Sequence, residues 1–122
     1  MDGQIMAVIP VRIVSEPNMR GHWGNRARRS QAHRDTARWA LAGQKPPSIE
    51  HAPISILLER VGHGRLDDDN LAAGFKAVRD GVADWLRIDD GDKRLRWSYA
   101  QRVNRKLLPH ATVTVSWKEG QS

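Results

Sequence analysis

Six aspartates fall into two clusters within one stretch of the 122-residue chain: Asp67, Asp68 and Asp69, then Asp89, Asp90 and Asp92. A helix cap needs one side chain, and three adjacent carboxylates repel one another, so the first cluster invites a second explanation. Asp67 and Asp69 are two apart and point the same way if the segment is extended. If the preceding strand ends there and the loop after the intervening helix returns to the same edge, Asp90 joins them. Three carboxylates and water suit Mg²⁺, with Mn²⁺ as a substitute, because small hard cations take oxygen ligands and keep part of their water shell. Such a site suits phosphodiester hydrolysis, in which a metal polarises the phosphoryl oxygen and activates a bound water. Lys76 stands seven residues after Asp69, two turns along one helix, where its ammonium could neutralise charge on the reacting phosphate. Structural readings stand beside these. Asp67 to Asp69 also serve as a helix cap, Asp90-Gly91 as a tight turn, and Lys76 as a solvated helix lysine. A calcium loop is excluded by spacing, since no alternating Asp run with a closing Glu is present.

The rest of the chain is basic. It holds 20 Lys and Arg against 14 Asp and Glu, a net charge of +6, which favours a polyanionic partner such as nucleic acid. With no Cys, disulfides and thiolate metal sites are excluded. No apolar run approaches the roughly 20 residues of a membrane span, and the N-terminus carries no signal-peptide core, so a cytoplasmic protein with no membrane partner is expected. The length fits one domain over residues 1–122.

The positive charge is concentrated from Arg20 to Arg38, where Asp35 is the lone acid. Arg20, Arg26, Arg28, Arg29 and Arg34 are the candidate phosphate contacts, and a solvated helix face is the plainer alternative. An amphipathic helix is expected from about Ala27 to Ala42, with Ala32, Thr36, Trp39 and Ala40 as its apolar side. Trp23 lies in the approach to it, as a core anchor or a base-stacking group.

Around these residues the pattern predicts a β-α-β-α-β-β order. Met6 to Val14 reads as a strand whose Pro10 points to an edge position. Ser15 to Asn18 carries turn chemistry. Ile54 to Val61 reads as a central strand. A helix is expected from Asn70 to about Leu86, burying Leu71, Phe75, Val78, Val82 and Trp85, with Gly81 marking a close neighbour. Leu95 to Arg102 and Ala111 to Lys118 read as the closing strands, and Glu119 to Ser122 as a frayed tail. The expected class is α+β, a small mixed sheet with two main helices packed on it.

Three motifs taken together carry a resemblance. Asp67-x-Asp69-Asn70-Leu71, then Lys76-Ala77-x-x-Asp80-Gly81-Val82, then Ile88-Asp89-Asp90 resemble the pattern of the RusA family of Holliday-junction resolvases, small endonucleases that are mostly phage- or prophage-encoded. The likeness extends more loosely to the N-terminal strand, Pro17-Asn18, the basic helix and the last strands. It implies that Asp67, Asp69 and Asp90 are metal-binding catalytic carboxylates and that Lys76 is the catalytic lysine. It further implies Mg²⁺-dependent resolution of four-way DNA junctions by paired symmetric nicks, in recombination and repair, by a homodimer. One departure stands out. The family usually places its lysine where this chain has Ala73, so Lys76 lies about one turn further on, about 4.5 Å along a helix axis. The alternative is a non-catalytic nucleic-acid-binding protein that keeps the fold without the chemistry.

Overall fold

The inward-facing residues of the four strands line up in rows, and those rows explain the architecture. Ile5, Val115, Ile56 and Trp97 form one row across the sheet; Ala7, Val113, Leu58 and Tyr99 form the next. The strands are β1 (Asp2–Ile9), β2 (Ile54–Gly62), β3 (Leu95–Val103) and β4 (His110–Lys118), in the spatial order β1-β4-β2-β3. β4 pairs antiparallel with both β1 and β2, whereas β2 and β3 are parallel. A parallel pair needs a long crossover, and the residues between β2 and β3 supply it with two helices. These are α2 (Asp68–Gly74) and α3 (Lys76–Leu86), and the basic α1 (Trp23–Leu41) joins β1 to the rest. This computed structural model describes residues 2–15 and 23–118, with the side chains of Asp2 and Trp23 left out. Arg20, Pro17-Asn18, the possible roles of Trp23 and the expected tail lie outside what is described.

The α+β class, the mixed sheet and the edge position of β1 match expectation. β1 ends at Ile9 rather than continuing to Val14, because Pro10 has no N–H to offer the ladder. Ile54, Ile56 and Leu58 of central β2 are fully buried, but Leu57 points to the other face and is 38% exposed. The helices therefore cover one face only.

The expected single helix is two. Gly74 seats α2 against the chain after β1: a Cβ there would lie 2.8 Å from both Val14 O and Ile13 Cγ2. Phe75 stays right-handed but flattened (φ −87°, ψ −4°), its N–H still donating to Leu71 O at 3.2 Å, and α3 begins at Lys76. Leu71, Phe75, Val78 and Val82 are buried as expected, while Trp85 is half-buried and donates its indole N–H to Gln44 O at 2.9 Å. On α1 the expected apolar side is corrected in part: Ala40 packs against the core, but Ala32 is exposed. Ala37 and Leu41, one turn apart, are the fully buried pair, and Trp39 is 81% exposed. At 100° per residue Trp39 sits about 200° from Ala37, on the opposite side of the helix.

Gly81 is where α1 and α3 meet. A Cβ there would lie 2.3 Å from Arg34 O and 2.8 Å from Ala37 Cβ. Two helix backbones cannot yield as a flexible side chain can. Gly81→Ala should therefore lower stability by about 1–3 kcal/mol despite alanine's better helix propensity, which is worth about 1 kcal/mol in the other direction. Urea unfolding of the purified variant measures the sign; a gain in stability would mean that the helices separate at no cost.

Candidate functional site

Side chains from one strand hold both ends of the acidic stretch. Trp97, Tyr99 and Gln101 share the inward face of β3, and each has a polar tip that burial obliges to find a partner. Trp97 Nε1 donates to the backbone oxygen of Asp90 at 2.9 Å. Tyr99 Oη accepts from Arg79 Nη1 at 2.9 Å. Gln101 holds Leu66 twice, accepting from its N–H at 3.0 Å and donating to its carbonyl at 2.6 Å. The anchors of Asp90 and of the Asp67 approach thus stand four residues apart on one strand, about 13 Å at the usual rise. The chain does fold back, and Arg79 lies between the two ends.

The return is made by the C-terminus of α3. Arg87 adopts the left-handed conformation (φ 60°, ψ 37°), and its N–H caps the carbonyls of Ala83 and Asp84. Residues 88–92 then double back along α3. The loop builds itself from its own acids. Asp89 accepts from the Gly91 N–H, and Asp92 accepts from the backbone N–H and guanidinium of Arg94. That guanidinium takes the Asp92 carboxyl down to about 2. Asp90 is directed elsewhere: its Oδ2 accepts from Lys76 Nζ at 3.1 Å and from Arg79 Nε at 3.0 Å. Lys76, first, and Arg79 hold the Asp90 carboxyl below its ordinary value. Lys76 also donates to Asp80 at 2.8 Å, and Asp80 foremost raises its pKa above that of a free lysine.

At the other end Asp67 is the N-cap of α2, its Oδ1 accepting from the Asn70 N–H at 2.9 Å. The capping role is therefore real for Asp67, and Oδ2 is left over. Asp69 does not lie in an extended segment. It sits in the first helical turn, so the shared direction expected for Asp67 and Asp69 is lost. Lys76 stands just past the irregular turn at Phe75, and its place at the start of α3 brings it to Asp90. The three-residue shift from Ala73 thus still delivers an ammonium to an acidic-loop carboxylate. β2 ends at Gly62, short of Asp67, and the segment between is pinned by buried Arg60, whose guanidinium donates to Ile13 O at 2.9 Å and Gly64 O at 2.6 Å. Burial, foremost, pushes the pKa of Arg60 down from the ordinary arginine value. Gly62 makes room for it, since a Cβ there would lie 2.7 Å from Arg60 Cζ.

Among the described residues no three carboxylates or imidazoles are grouped to hold a metal ion. The donor chemistry nevertheless fits a hard divalent cation: exposed Asp69, the spare oxygen of Asp67, and an Asp90 kept ionised. Asp90 Oδ2 already has two cationic donors, so a metal held through that oxygen would take the position of one of them.

The expected DNA contacts divide. Arg26 and Arg28 are exposed on α1, and Arg28 donates to Asn25. Arg29 is half-buried and has a partner. Arg34 is committed to the fold, since its Nε and Nη2 grip both oxygens of Asp84 at 2.7 and 2.8 Å, joining α1 to α3. This pair was not legible in the sequence, because 50 residues separate its members and only the docking of the helices reveals it. Arg79, Trp97, Tyr99 and Gln101 were missed as well. For Trp97, Tyr99 and Gln101 the available signal was a run of polar-tipped side chains at alternate, inward positions of a strand. No helix among the described residues is long and apolar enough to cross a membrane.

Hydrogen bonding to Arg34 lowers the pKa of Asp84 from the ordinary 3.8. A carboxylate with a lowered folded-state pKa contributes stability that is complete above the unfolded value and lost as pH falls through the folded one. Asp84→Asn should therefore cost about 1 kcal/mol at pH 7, a modest figure because Arg34 is partly solvated. The difference from wild type should shrink as the pH falls below the ordinary 3.8 and vanish once Asp84 is protonated in the folded state, as denaturant unfolding at a series of pH values would record. A difference that does not shrink with falling pH would assign the loss to packing instead.

No protein-family model and no curated protein matches this chain.

Proposed function

We propose that the protein is a Mg²⁺-dependent, structure-selective DNA endonuclease that resolves four-way junctions by paired nicks, in DNA recombination and repair. One observation carries the reading. Lys76, displaced by three residues from the position usual for the resolvases the motifs resemble, still has its ammonium 3.1 Å from Asp90. Asp67, Asp69 and Asp90 would hold the metal, which when bound polarises a phosphoryl oxygen and lowers the pKa of water. Asp90 orients Lys76, and Lys76, once released, offers its ammonium to the charge that builds on the scissile phosphate. Asp80 keeps that ammonium at the site and charged. Exposed Arg26 and Arg28 give α1 a surface for the DNA backbone. Two copies of the chain, related by a two-fold axis, would match the symmetry of a four-way junction and nick two strands.

A second reading has its own support. The double cationic hold on Asp90 and the capping role of Asp67 also suit a nucleic-acid-binding protein without catalysis. A synthetic four-way junction and a matched linear duplex, each incubated with Mg²⁺ and with EDTA, separate the two. Mg²⁺-dependent cleavage confined to the junction supports the nuclease; binding without cleavage supports the alternative. Asp69→Asn should abolish cleavage yet preserve or tighten binding, since it removes a ligand and a negative charge near phosphate. Cleavage at the wild-type rate by this variant would remove Asp69 from the site. Arg26→Ala with Arg28→Ala should weaken binding and flatten its salt dependence by about one unit of slope per lost phosphate contact. An unchanged slope would place the DNA on another face.

A further inference from the structure

Two cations share Asp90 Oδ2, and their surroundings are unlike. Lys76 is the exposed one, with 61% of its side chain open to solvent, and it has a second carboxylate, Asp80, at a shorter distance than Asp90. It can leave Asp90 and still be paired. Arg79 is 24% exposed, and every nitrogen of its guanidinium is used in a different direction: Nε to Asp90 Oδ2, Nη2 to the Asp90 backbone oxygen at 3.0 Å, and Nη1 to Tyr99 Oη. Its flat face lies over the Trp97 ring, 4.6 Å from the centroid, and the Trp97 N–H takes the same Asp90 carbonyl that Nη2 does. A planar fork clamped on one face and at three nitrogens is pre-organised in a way that a lysine cannot imitate.

We propose that Arg79 is the positioning residue of the acidic loop. It holds the Asp90 carboxylate over β3 while Lys76 acts as an exchangeable placeholder that gives way to a divalent cation. This deepens the nuclease reading and rests on it for the cation; the latch itself rests only on the contacts above. The proposal predicts opposite effects from two substitutions that remove the same charge. If only charge mattered, Lys76→Met and Arg79→Met would both tighten cation binding, because each deletes a positive group beside Asp90. With Arg79 as the latch and Lys76 as the placeholder, Lys76→Met binds Mn²⁺ more tightly than wild type, and Arg79→Met binds it several-fold more weakly. Arg79→Lys, which keeps the charge, also binds it more weakly.

Mn²⁺ binding to the full chain, followed by the electron paramagnetic resonance of the free ion, measures these affinities without any cleavage assay. The indole ¹H–¹⁵N resonance of Trp97, assigned by its absence in Trp97→Phe, reports the latch directly. It should move in Arg79→Met and Arg79→Lys and stay in place in Lys76→Met. Tighter Mn²⁺ binding by both Met variants, or a Trp97 resonance unmoved by Arg79→Met, overturns the proposal. Should wild type bind no Mn²⁺ while the resonance moves as expected, the latch stands and the metal-dependent nuclease reading falls.

Discussion

The site depends on a strand that carries three polar tips on its buried face. Trp97, Tyr99 and Gln101 sit in rows otherwise filled by Ile, Val and Leu, and each satisfies its polar atom on a segment outside the sheet. Leaving such a group unpaired costs about 1–3 kcal/mol, so the strand works as a set of fixed pegs. The crossover from β2 to β3 hangs from them at Leu66, Arg79 and Asp90. Without them α2 and α3 would still pack on the sheet through Phe75, Val78 and Val82, but the acidic loop would keep only its own turn bonds and the cations of α3.

Around these pegs the carboxylates divide their duties. Asp67 caps a helix, Asp84 joins two helices, Asp89 and Asp92 shape a turn, and Asp80 steadies Lys76. Asp90 alone is presented to two cations at once. A basic protein can keep so many acids close together because they are matched by a guanidinium, an ammonium, a helix N-terminus or, for Asp89, a turn N–H, which relieves their mutual repulsion.

The sheet is served unequally on its two sides. Helices bury the face bearing Ile56, Leu58, Val113 and Val115, while Met6 and Val8 on the opposite face are 64% and 59% exposed. The same asymmetry appears on α1, where Ala37 and Leu41 are the residues fully surrendered to the core and Ala40 packs partly against it. α1 is held to α3 by a close backbone approach at Gly81 and by the Arg34–Asp84 pair, with little apolar area of its own.

Periodicity alone determined the class, the strands, the buried face of the crossover and the tight spot at Gly81. These follow from which side chains avoid water at steps of two or of three and four residues, and that information is local. Composition likewise determined that any metal must be held by oxygen or imidazole. The irregular turn at Phe75 was beyond local reading: it stands beside Gly74, which meets the chain after β1, some 60 residues away in sequence. The same is true of Arg34, which basic clustering assigned to a surface and α3 claimed for the fold. The return of Asp90 toward Lys76 was also beyond local reading. It depends on a left-handed Arg87 and on hydrogen bonds to β3, contacts that exist only once the strand is in place beside β2.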